Sequence, residues 1–352
     1  MTDAAASNDK SRHRQSLSYI IGFAILCRIG LELFTHRTVE DFYITLRYAE
    51  NISHGLGFVF NSGERVLGTT TPLYTLYLAL LDFLHLNATL LGKITNIVAD
   101  GASCLLLYRL GSNLKRPRCG LVAAALFAIW PVCLYWSVSG METSLVTFAG
   151  LWFVVSLSVT DFKRMAWSGA MLILLRIDGA VLVGLGYLGL HWHAMEAGKD
   201  RIIIARSALK SIFILMLILL PWMVFATLYF GSPVPTSIVA KLQVYGWQAK
   251  TGFPNIGPFL RHFLKPQQIL AAIGAFFGLL VVWKRYLPVR GALIWLLVYY
   301  AVMALSKSFL FGWYFMPPIP LLLFLSVIGW VSMVARIPKF QLTIERKSVS
   351  SH

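Results

Sequence analysis

The sequence predicts an all-α, polytopic membrane protein with about 10 to 11 transmembrane or partial-span helices. Hydrophobic residues make up 57% of its 352 residues, and charged residues only 13%. A soluble domain of this length needs a more highly charged surface. The third observation is a series of apolar runs close to the length of about 20 residues that a membrane-spanning helix requires.

The charge balance indicates contact with a membrane surface. The chain has 31 Lys and Arg against 15 Asp and Glu, a net charge of +16. Because no basic block with interleaved aromatic residues lies outside the apolar runs, we expect no nucleic-acid partner and interpret the excess as a topology signal. The four cysteines lie in or beside apolar runs without the spacing of a zinc site, so no disulfide or metal framework is predicted.

The apolar runs define the order of the membrane domain. Segment 72–110 allows either one crossing or two short helices, and segment 166–193 is predicted to be a broken or re-entrant pair bent at 176–179. Arg28 and Glu32 are four residues apart and are expected to pair on the first helix. Complete spans are predicted at 17–35, 119–138, 142–160, 207–230, 268–284, 291–306 and 316–336.

Basic clusters between the runs predict the orientation. If all of them face the cytoplasm, segments 1–16 and 337–352 are cytoplasmic tails of a single membrane domain, 17–336, with external loops 36–71 and 231–267. Polar segments broken by glycine or proline then gather on the external face. Since unpaired backbone is costly beside hydrocarbon, we expect these segments to surround a cavity. The five polar segments are 36–71, 139–144, 176–179, 229–250 and 307–320.

The first external loop begins with a predicted amphipathic helix that lies along the membrane surface. It runs from Glu40 to about Ser53 and carries a broad apolar face. Acids in a first helical turn complement the helix dipole, so Glu40 and Asp41 have a structural explanation as well as a functional one. The glycine-rich stretch that follows permits close backbone approach, and Arg65 returns a cation towards the acids.

Five motifs carry a resemblance to a known family. The run EDFYITLRYAENISHGLGFVFNSGERVLGTTTPLYTLYLALL resembles the first external loop and second helix of bacterial GT-C-fold membrane glycosyltransferases of the arabinofuranosyl- and mannosyltransferase-like kind, which use polyprenyl-phosphate sugars. The likeness continues through SGMETSL, LLRIDGAVL, LYFGSPVPTSIVAK and WYFMPPIPLLLF. Members usually have two adjacent aspartates where this chain has Glu40 and Asp41. The resemblance implies a GT-C-like fold in the inner (plasma) membrane, with an active site facing the periplasm or exterior.

The chemistry of such a site can be compared with the residues. A nucleotide-sugar enzyme needs a soluble domain of about 100 residues or more, which the short polar loops do not offer, so the donor is expected to be lipid-linked. A polyprenyl phosphate is a good leaving group. The protein then needs one carboxylate to take the acceptor proton and cations to hold the phosphate. Either Glu40 or Asp41 fits the base, and one carboxylate predicts inversion at the anomeric carbon.

Further candidates follow from the external segments. The predicted phosphate-binding cations are Arg176, Lys241, Lys307 and Arg65. The predicted acceptor or sugar contacts are Glu142, Tyr43, Arg47, Asp178, Trp313 and Tyr314. Arg176 could instead pair with Asp178, and the aromatic residues could belong to an interfacial belt. No metal site is predicted, although a divalent cation bridging an acid and the donor phosphate stays open.

Two other classes of function fit the same composition. A transporter or flippase of a lipid-linked sugar or small solute also needs intramembrane charges and broken helices. A non-catalytic membrane subunit is the second alternative. For the enzyme, the expected partners are a polyprenyl-phosphate-linked sugar, a hydroxyl acceptor on a glycan, lipid or protein, and the bilayer.

Overall fold

The computed structural model describes residues 2–196, 201–237, 240, 255–306 and 310–336. Throughout these ranges the regular structure is helical, with no strand, which confirms the all-α prediction. The α-helices, numbered along the described chain, are α1 (Thr2–Thr35), α2 (Glu40–Ser53), α3 (Pro72–Phe83), α4 (Ala88–Asn113), α5 (Pro117–Ile129), α6 (Pro131–Ser137), α7 (Thr143–Ser158), α8 (Phe162–Leu175), α9 (Gly179–Glu196), α10 (Arg201–Phe230), α11 (Ile256–Phe263), α12 (Pro266–Arg285), α13 (Arg290–Leu305) and α14 (Ile319–Val334). Short 3-10 helices occupy Leu287–Val289 and Gly312–Phe315.

Six stretches within the described residues are long and apolar enough to cross a membrane. They are Ser11–Thr35, Ala88–Asn113, Arg201–Phe230, Pro266–Arg285, Leu287–Leu305 and Gly312–Val334. A seventh span is possible if α5 and α6, which are bent by 58° relative to each other, count as one. With the shorter apolar helices α3 and α7 between them, the chain forms a multi-pass membrane protein.

Two segments deviate from continuous helices where the sequence indicates a break. The predicted bend in 166–193 is present, because α8 ends at Leu175 and α9 begins at Gly179. The predicted span 119–138 is bent before Pro131, since proline lacks the N–H that a continuous helix needs. Segment 72–110 forms a short helix, α3, followed by the 26-residue α4.

The predicted helix at the start of the first loop is present with the predicted bounds, as α2. Its buried side chains pack towards α3 and hold the following loop in place. Asn51 donates from Nδ2 to the carbonyls of Val59 (2.8 Å) and Phe60 (2.9 Å). The hydroxyl of Tyr48 donates to Val66 O at 2.7 Å. These contacts position the threonine run that follows the loop.

Close helix packing in the second half of the chain depends on glycine. A Cβ placed on Gly329 of α14 would lie 1.8 Å from the carbonyl oxygen of Gly274 on α12. One placed on Gly278 would lie 1.9 Å from the carbonyl oxygen of Leu325. Small residues allow membrane helices to approach to backbone contact in this way. The α12–α14 contact therefore fixes the position of α14, which is separated by three residues from the 3-10 helix Gly312–Phe315.

Two buried ion pairs join α1 to α4. Arg28 Nε lies 2.5 Å from Asp100 Oδ2, and both side chains are fully buried. Lys93 Nζ lies 2.8 Å from Glu32 Oε1. The expected pairing of Arg28 with Glu32 is therefore wrong, because each residue finds its partner on the neighbouring helix rather than one turn away on its own.

Candidate active site

A polar cavity of about 240 Å³ lies where several of the broken segments meet. It is surrounded by the start of α2, the threonine run before α3, the turn before α7, the break between α8 and α9, and the 3-10 helix before α14. The cavity matches the predicted gathering of the polar segments. Its lining residues are Asp41, Ile44, Thr45, Gly68, Thr69, Thr70, Thr71, Met141, Glu142, Arg176, Ser237, Phe311, Trp313 and Tyr314.

The two adjacent acids of α2 have different surroundings. Asp41 is half-buried and lines the cavity, whereas the side chain of Glu40 is exposed. Adjacent residues on a helix point about 100° apart, so a helix wall presents one of the two to a neighbouring cavity. Burial of Phe42 and Tyr48 fixes the rotation of α2, and this rotation turns Asp41 rather than Glu40 towards the cavity.

Glu142 enters the cavity from the turn that precedes α7. Its side chain is only 4% exposed, at the residue before the first turn of the helix. Burial raises the pKa of the Glu142 carboxyl above its usual range, and the nearby Arg176 opposes that rise. Asp178 and Asp41 add to the rise because further negative charge disfavours ionisation of Glu142.

Arg176 supplies the positive charge that the structure places at the cavity. Its Nε donates to Asp178 Oδ1 at 3.1 Å and its Nη2 to Asp178 Oδ2 at 2.7 Å, a two-point ion pair within the break between α8 and α9. The third nitrogen, Nη1, is buried without a hydrogen-bond partner in the described structure. The guanidinium carbon lies 4.8 Å from the ring centre of Tyr314. Arg176 is thus oriented by Asp178 and keeps one donor available.

Hydroxyl groups that the sequence analysis did not single out form another part of the cavity wall. Thr69 and Thr71 are buried, with 3.1 Å between their Oγ1 atoms. Ser237 Oγ is buried without a hydrogen-bond partner in the described structure. Its neighbour Thr236 anchors this segment to the first loop through two contacts with Leu67 O, at 3.0 Å and 2.9 Å. The threonines lie in the run GTTTPLY, which is part of the first of the five motifs, whereas no local signal identifies Ser237.

The remaining predicted site residues are distributed as follows. Trp313 and Tyr314 line the cavity, with the Trp313 ring stacked 4.3 Å from that of Phe311. Three predicted residues do not line the cavity. Tyr43 is exposed, and so is Arg47, whose Nη1 lies 4.0 Å from Glu50 Oε2. The guanidinium carbon of Arg65 lies 4.7 Å from the ring centre of Tyr229. Lys241 and Lys307 fall outside the described residues, as do 238–239 and 241–254 of the predicted external loop 231–267.

The described residues contain no group of three or more His, Cys, Asp or Glu side chains that could hold a metal ion. Asp41 and Glu142 are the carboxylates of the cavity wall. Such a pair can hold Mg²⁺ only if a substrate phosphate or water completes the coordination, so the bridging cation stays the open alternative that the sequence left.

Together these features define a multi-pass helical membrane protein with two acids and an oriented arginine around one polar cavity. The sequence matches no protein-family model and no curated protein. Its structure is similar to that of the archaeal oligosaccharyltransferase AglB from Archaeoglobus fulgidus in complex with an inhibitory peptide and a dolichol-phosphate. The TM-score is 0.64 at 13% identity, over 98% of this chain and 52% of AglB.

Two further solved structures are similar. ArnT from Cupriavidus metallidurans bound to undecaprenyl phosphate gives a TM-score of 0.66 at 12% identity, over 91% of this chain and 60% of ArnT. The oligosaccharyltransferase of Archaeoglobus fulgidus in its apo form gives 0.61 at 12% identity, over 96% and 52%. The chain thus spans between about half and 60% of these proteins. The likeness establishes a GT-C-like fold, as predicted, while the arabinofuranosyl- or mannosyltransferase-like family stays a prediction.

Proposed function

We propose that this protein is an inverting membrane glycosyltransferase that transfers a sugar from a polyprenyl-phosphate donor to a hydroxyl acceptor on the extracytoplasmic side of the plasma membrane. The observation that carries this proposal is the meeting of Asp41, Glu142 and Arg176 at one polar cavity in a GT-C-like fold. The bound lipid phosphates in the AglB and ArnT structures support a donor of the same chemistry.

Asp41 is the proposed general base. It takes the proton from the acceptor hydroxyl while the acceptor oxygen attacks the anomeric carbon from the face opposite the phosphate. The bond between the anomeric carbon and the phosphate oxygen breaks, and the phosphate leaves with the electron pair. A single displacement of this kind inverts the anomeric centre. The exposure of Glu40 favours Asp41 over its neighbour.

Arg176 is the proposed first contact of the donor phosphate. Its unpartnered Nη1 can donate to a phosphate oxygen while Asp178 holds the rest of the guanidinium in place. The described wall has more acids than bases, so an anionic donor needs additional positive charge. Lys241 and Lys307 are proposed to supply it, since Ser237 and Phe311, which line the cavity, lie close to them in sequence.

The rest of the wall is proposed to recognise the sugar and the acceptor. Glu142 is proposed to orient the acceptor beside Asp41, and the hydroxyls of Thr69, Thr71 and Ser237 offer hydrogen bonds to sugar hydroxyls. The rings of Trp313 and Tyr314 offer apolar faces on which a sugar ring can stack. Tyr43, Arg47 and Arg65 are left as proposed contacts of an acceptor that approaches outside the cavity.

The test compares two neighbouring carboxylates. Purified protein in liposomes is given a panel of radiolabelled polyprenyl-phosphate pentoses, hexoses and amino sugars, and both transferred sugar and released polyprenyl phosphate are measured. Asp41→Asn should lower the rate by about 100-fold or more, the range expected for loss of a general base. Glu40→Gln is the matched control and should stay within about threefold of the wild type.

The outcomes separate the proposal from its alternatives. Equal activity of the two variants would refute Asp41 as the base. Movement of the donor across the bilayer without release of polyprenyl phosphate, unchanged in Asp41→Asn, would identify a flippase. A chelator in the same assay tests the cation: we expect transfer to persist in EDTA, because Arg176 and the two lysines are proposed to neutralise the phosphate.

A further inference from the structure

The turn that carries Glu142 is attached to α2 by the backbone. The N–H of Val39, the residue before α2, donates to the carbonyl of Ser139 at 2.9 Å. Val39 lies two residues before Asp41, and Ser139 lies three residues before Glu142. This hydrogen bond therefore joins the two short segments that bring the cavity acids together.

The same turn also packs against α2, and Gly140 is the residue of the turn that makes this contact. Gly140 has a φ of +85°, a conformation that favours glycine. A Cβ on Gly140 would lie 2.9 Å from the ring of Phe42, which is 1% exposed and adjacent to Asp41. The turn can make this close contact only with a bare backbone at position 140.

A third contact comes from α3, a helix that follows the threonine run. The hydroxyl of Tyr74 donates to the carbonyl of Gly140 at 2.6 Å, and Nδ2 of Asn96 lies 3.4 Å from the same hydroxyl. Tyr74 is 1% exposed and packs in the helical core behind the turn. Its ring cannot rotate freely, so its hydroxyl fixes the orientation of the peptide group after Gly140.

We propose that Tyr74 is a positioning residue, whose hydroxyl sets the place of Glu142 relative to Asp41 through the carbonyl of Gly140. The inference rests on the proposed function. Tyr74 acts on the backbone of the turn, whereas the donor phosphate is assigned to Arg176 on a different segment. Loss of the hydroxyl should therefore change the rate of the chemical step more than the binding of the donor. Misplacement of a group that positions the substrate by about 1 Å is enough for a loss of this kind.

The test is Tyr74→Phe, which keeps the ring and removes the hydroxyl. We expect kcat to fall by about tenfold or more while the donor KM stays within about threefold. Tyr77→Phe is the matched control, since Tyr77 lies one turn further along α3 and its hydroxyl contacts Thr95 Oγ1 at 2.6 Å, away from the turn. Both variants lose a tyrosine hydroxyl that is hydrogen-bonded in the helical core, but only Tyr74→Phe should lose kcat.

A second variant, for use if Tyr74→Phe folds poorly, removes the contact between the turn and the residue before α2. Val39→Pro removes the N–H that contacts Ser139, and Val39→Ala is its control because it keeps that N–H. Val39→Pro should also lower kcat with little change in donor KM. The thermal stability of all four variants is measured in the same detergent, so that loss of folded protein is not counted as loss of rate.

Three results would overturn the inference. Equal kcat values for Tyr74→Phe and Tyr77→Phe would show that the hydroxyl is an ordinary core contact. A raised donor KM at unchanged kcat would place the effect on donor binding. A wild-type protein that transfers no sugar would refute the proposed function and the inference with it, whereas an active wild type with an unimpaired Tyr74→Phe refutes the inference alone.

Discussion

The described part of the chain contains two buried arginines in contact with aspartates, and they differ in what lies next to them. Arg28 is fully buried between α1 and α4, where it contacts Asp100 and the carbonyls of Ala24 and Ala128. Arg176 is 6% exposed at the break between α8 and α9, contacts Asp178, and lines the polar cavity. Each keeps one guanidinium nitrogen without a hydrogen-bond partner in the described structure.

The comparison shows that pairing does not separate a structural arginine from a functional one. Both arginines are paired, and both have a nitrogen to spare. What differs is access: the free nitrogen of Arg176 belongs to a residue that lines a cavity with two acids, while Arg28 is enclosed by helices. A charge buried in a membrane domain indicates a site only when a ligand can reach it.

The largest effect expected from this comparison is on stability. Arg28→Met should lower the free energy of unfolding by about 3–5 kcal/mol, because it leaves Asp100 buried without its counter-charge. The loss is measured by denaturant titration in mixed micelles. The donor KM of the folded fraction should be unchanged, since Arg28 is remote from the donor in the proposed mechanism.

The double variant Arg28→Met with Asp100→Leu makes this test sharper. It removes both charges, so its stability should lie closer to the wild type than that of Arg28→Met alone. If the double variant instead has a lower free energy of unfolding than Arg28→Met, by as much again as the single variant loses, the two residues do not act as a pair. That result would contradict the interpretation of the pair as an isolated structural contact.

The second effect is on activity. Arg176→Gln should lower kcat/KM by about 10- to 100-fold and raise the donor KM, because it removes a charge-assisted hydrogen bond to the proposed phosphate. Arg176→Lys should recover only part of the loss, since lysine cannot contact Asp178 and the phosphate in the same fork geometry. An unchanged donor KM in Arg176→Gln would place Arg176 with Arg28 as a structural residue.

Sequence reasoning found the features that depend on local chemistry. The bounds of α2 follow from two acids before an amphipathic stretch and a glycine-rich segment after it. The break at Arg176 follows from a charged, glycine-containing group between two apolar runs. Both are properties of neighbouring residues, so a single sequence contains them.

Sequence reasoning could not predict the features that depend on tertiary contacts. Helix spacing paired Arg28 with Glu32, but the packing of α1 on α4 gives Arg28 a partner 72 residues away. Which of Glu40 and Asp41 lines the cavity depends on the rotation of α2, and this rotation is set by the burial of Phe42. Ser237 reaches the cavity through the contact of Thr236 with Leu67, 169 residues earlier, which no local pattern indicates.

The smallest expected effect concerns the acids of the two regions. Asp100 contacts its arginine directly, whereas Glu142 has a pKa raised chiefly by burial, with Arg176 opposing and Asp178 and Asp41 adding to the rise. Below the ordinary pKa of a glutamate, Glu142 is protonated in both the folded and unfolded states. As pH rises from there through the raised folded pKa, the unfolded state releases its proton more readily, so the wild type loses stability.

Glu142→Gln removes that titration and should therefore flatten this part of the pH dependence. At neutral pH the variant should be more stable than the wild type, by on the order of 1 kcal/mol, while its stability below the ordinary glutamate pKa should be nearly that of the wild type. Thermal unfolding in detergent across this pH range measures the difference. A wild type whose stability rises with pH relative to Glu142→Gln would mean that Arg176 outweighs burial, and that the cavity holds Glu142 as a paired carboxylate much as the helices hold Asp100.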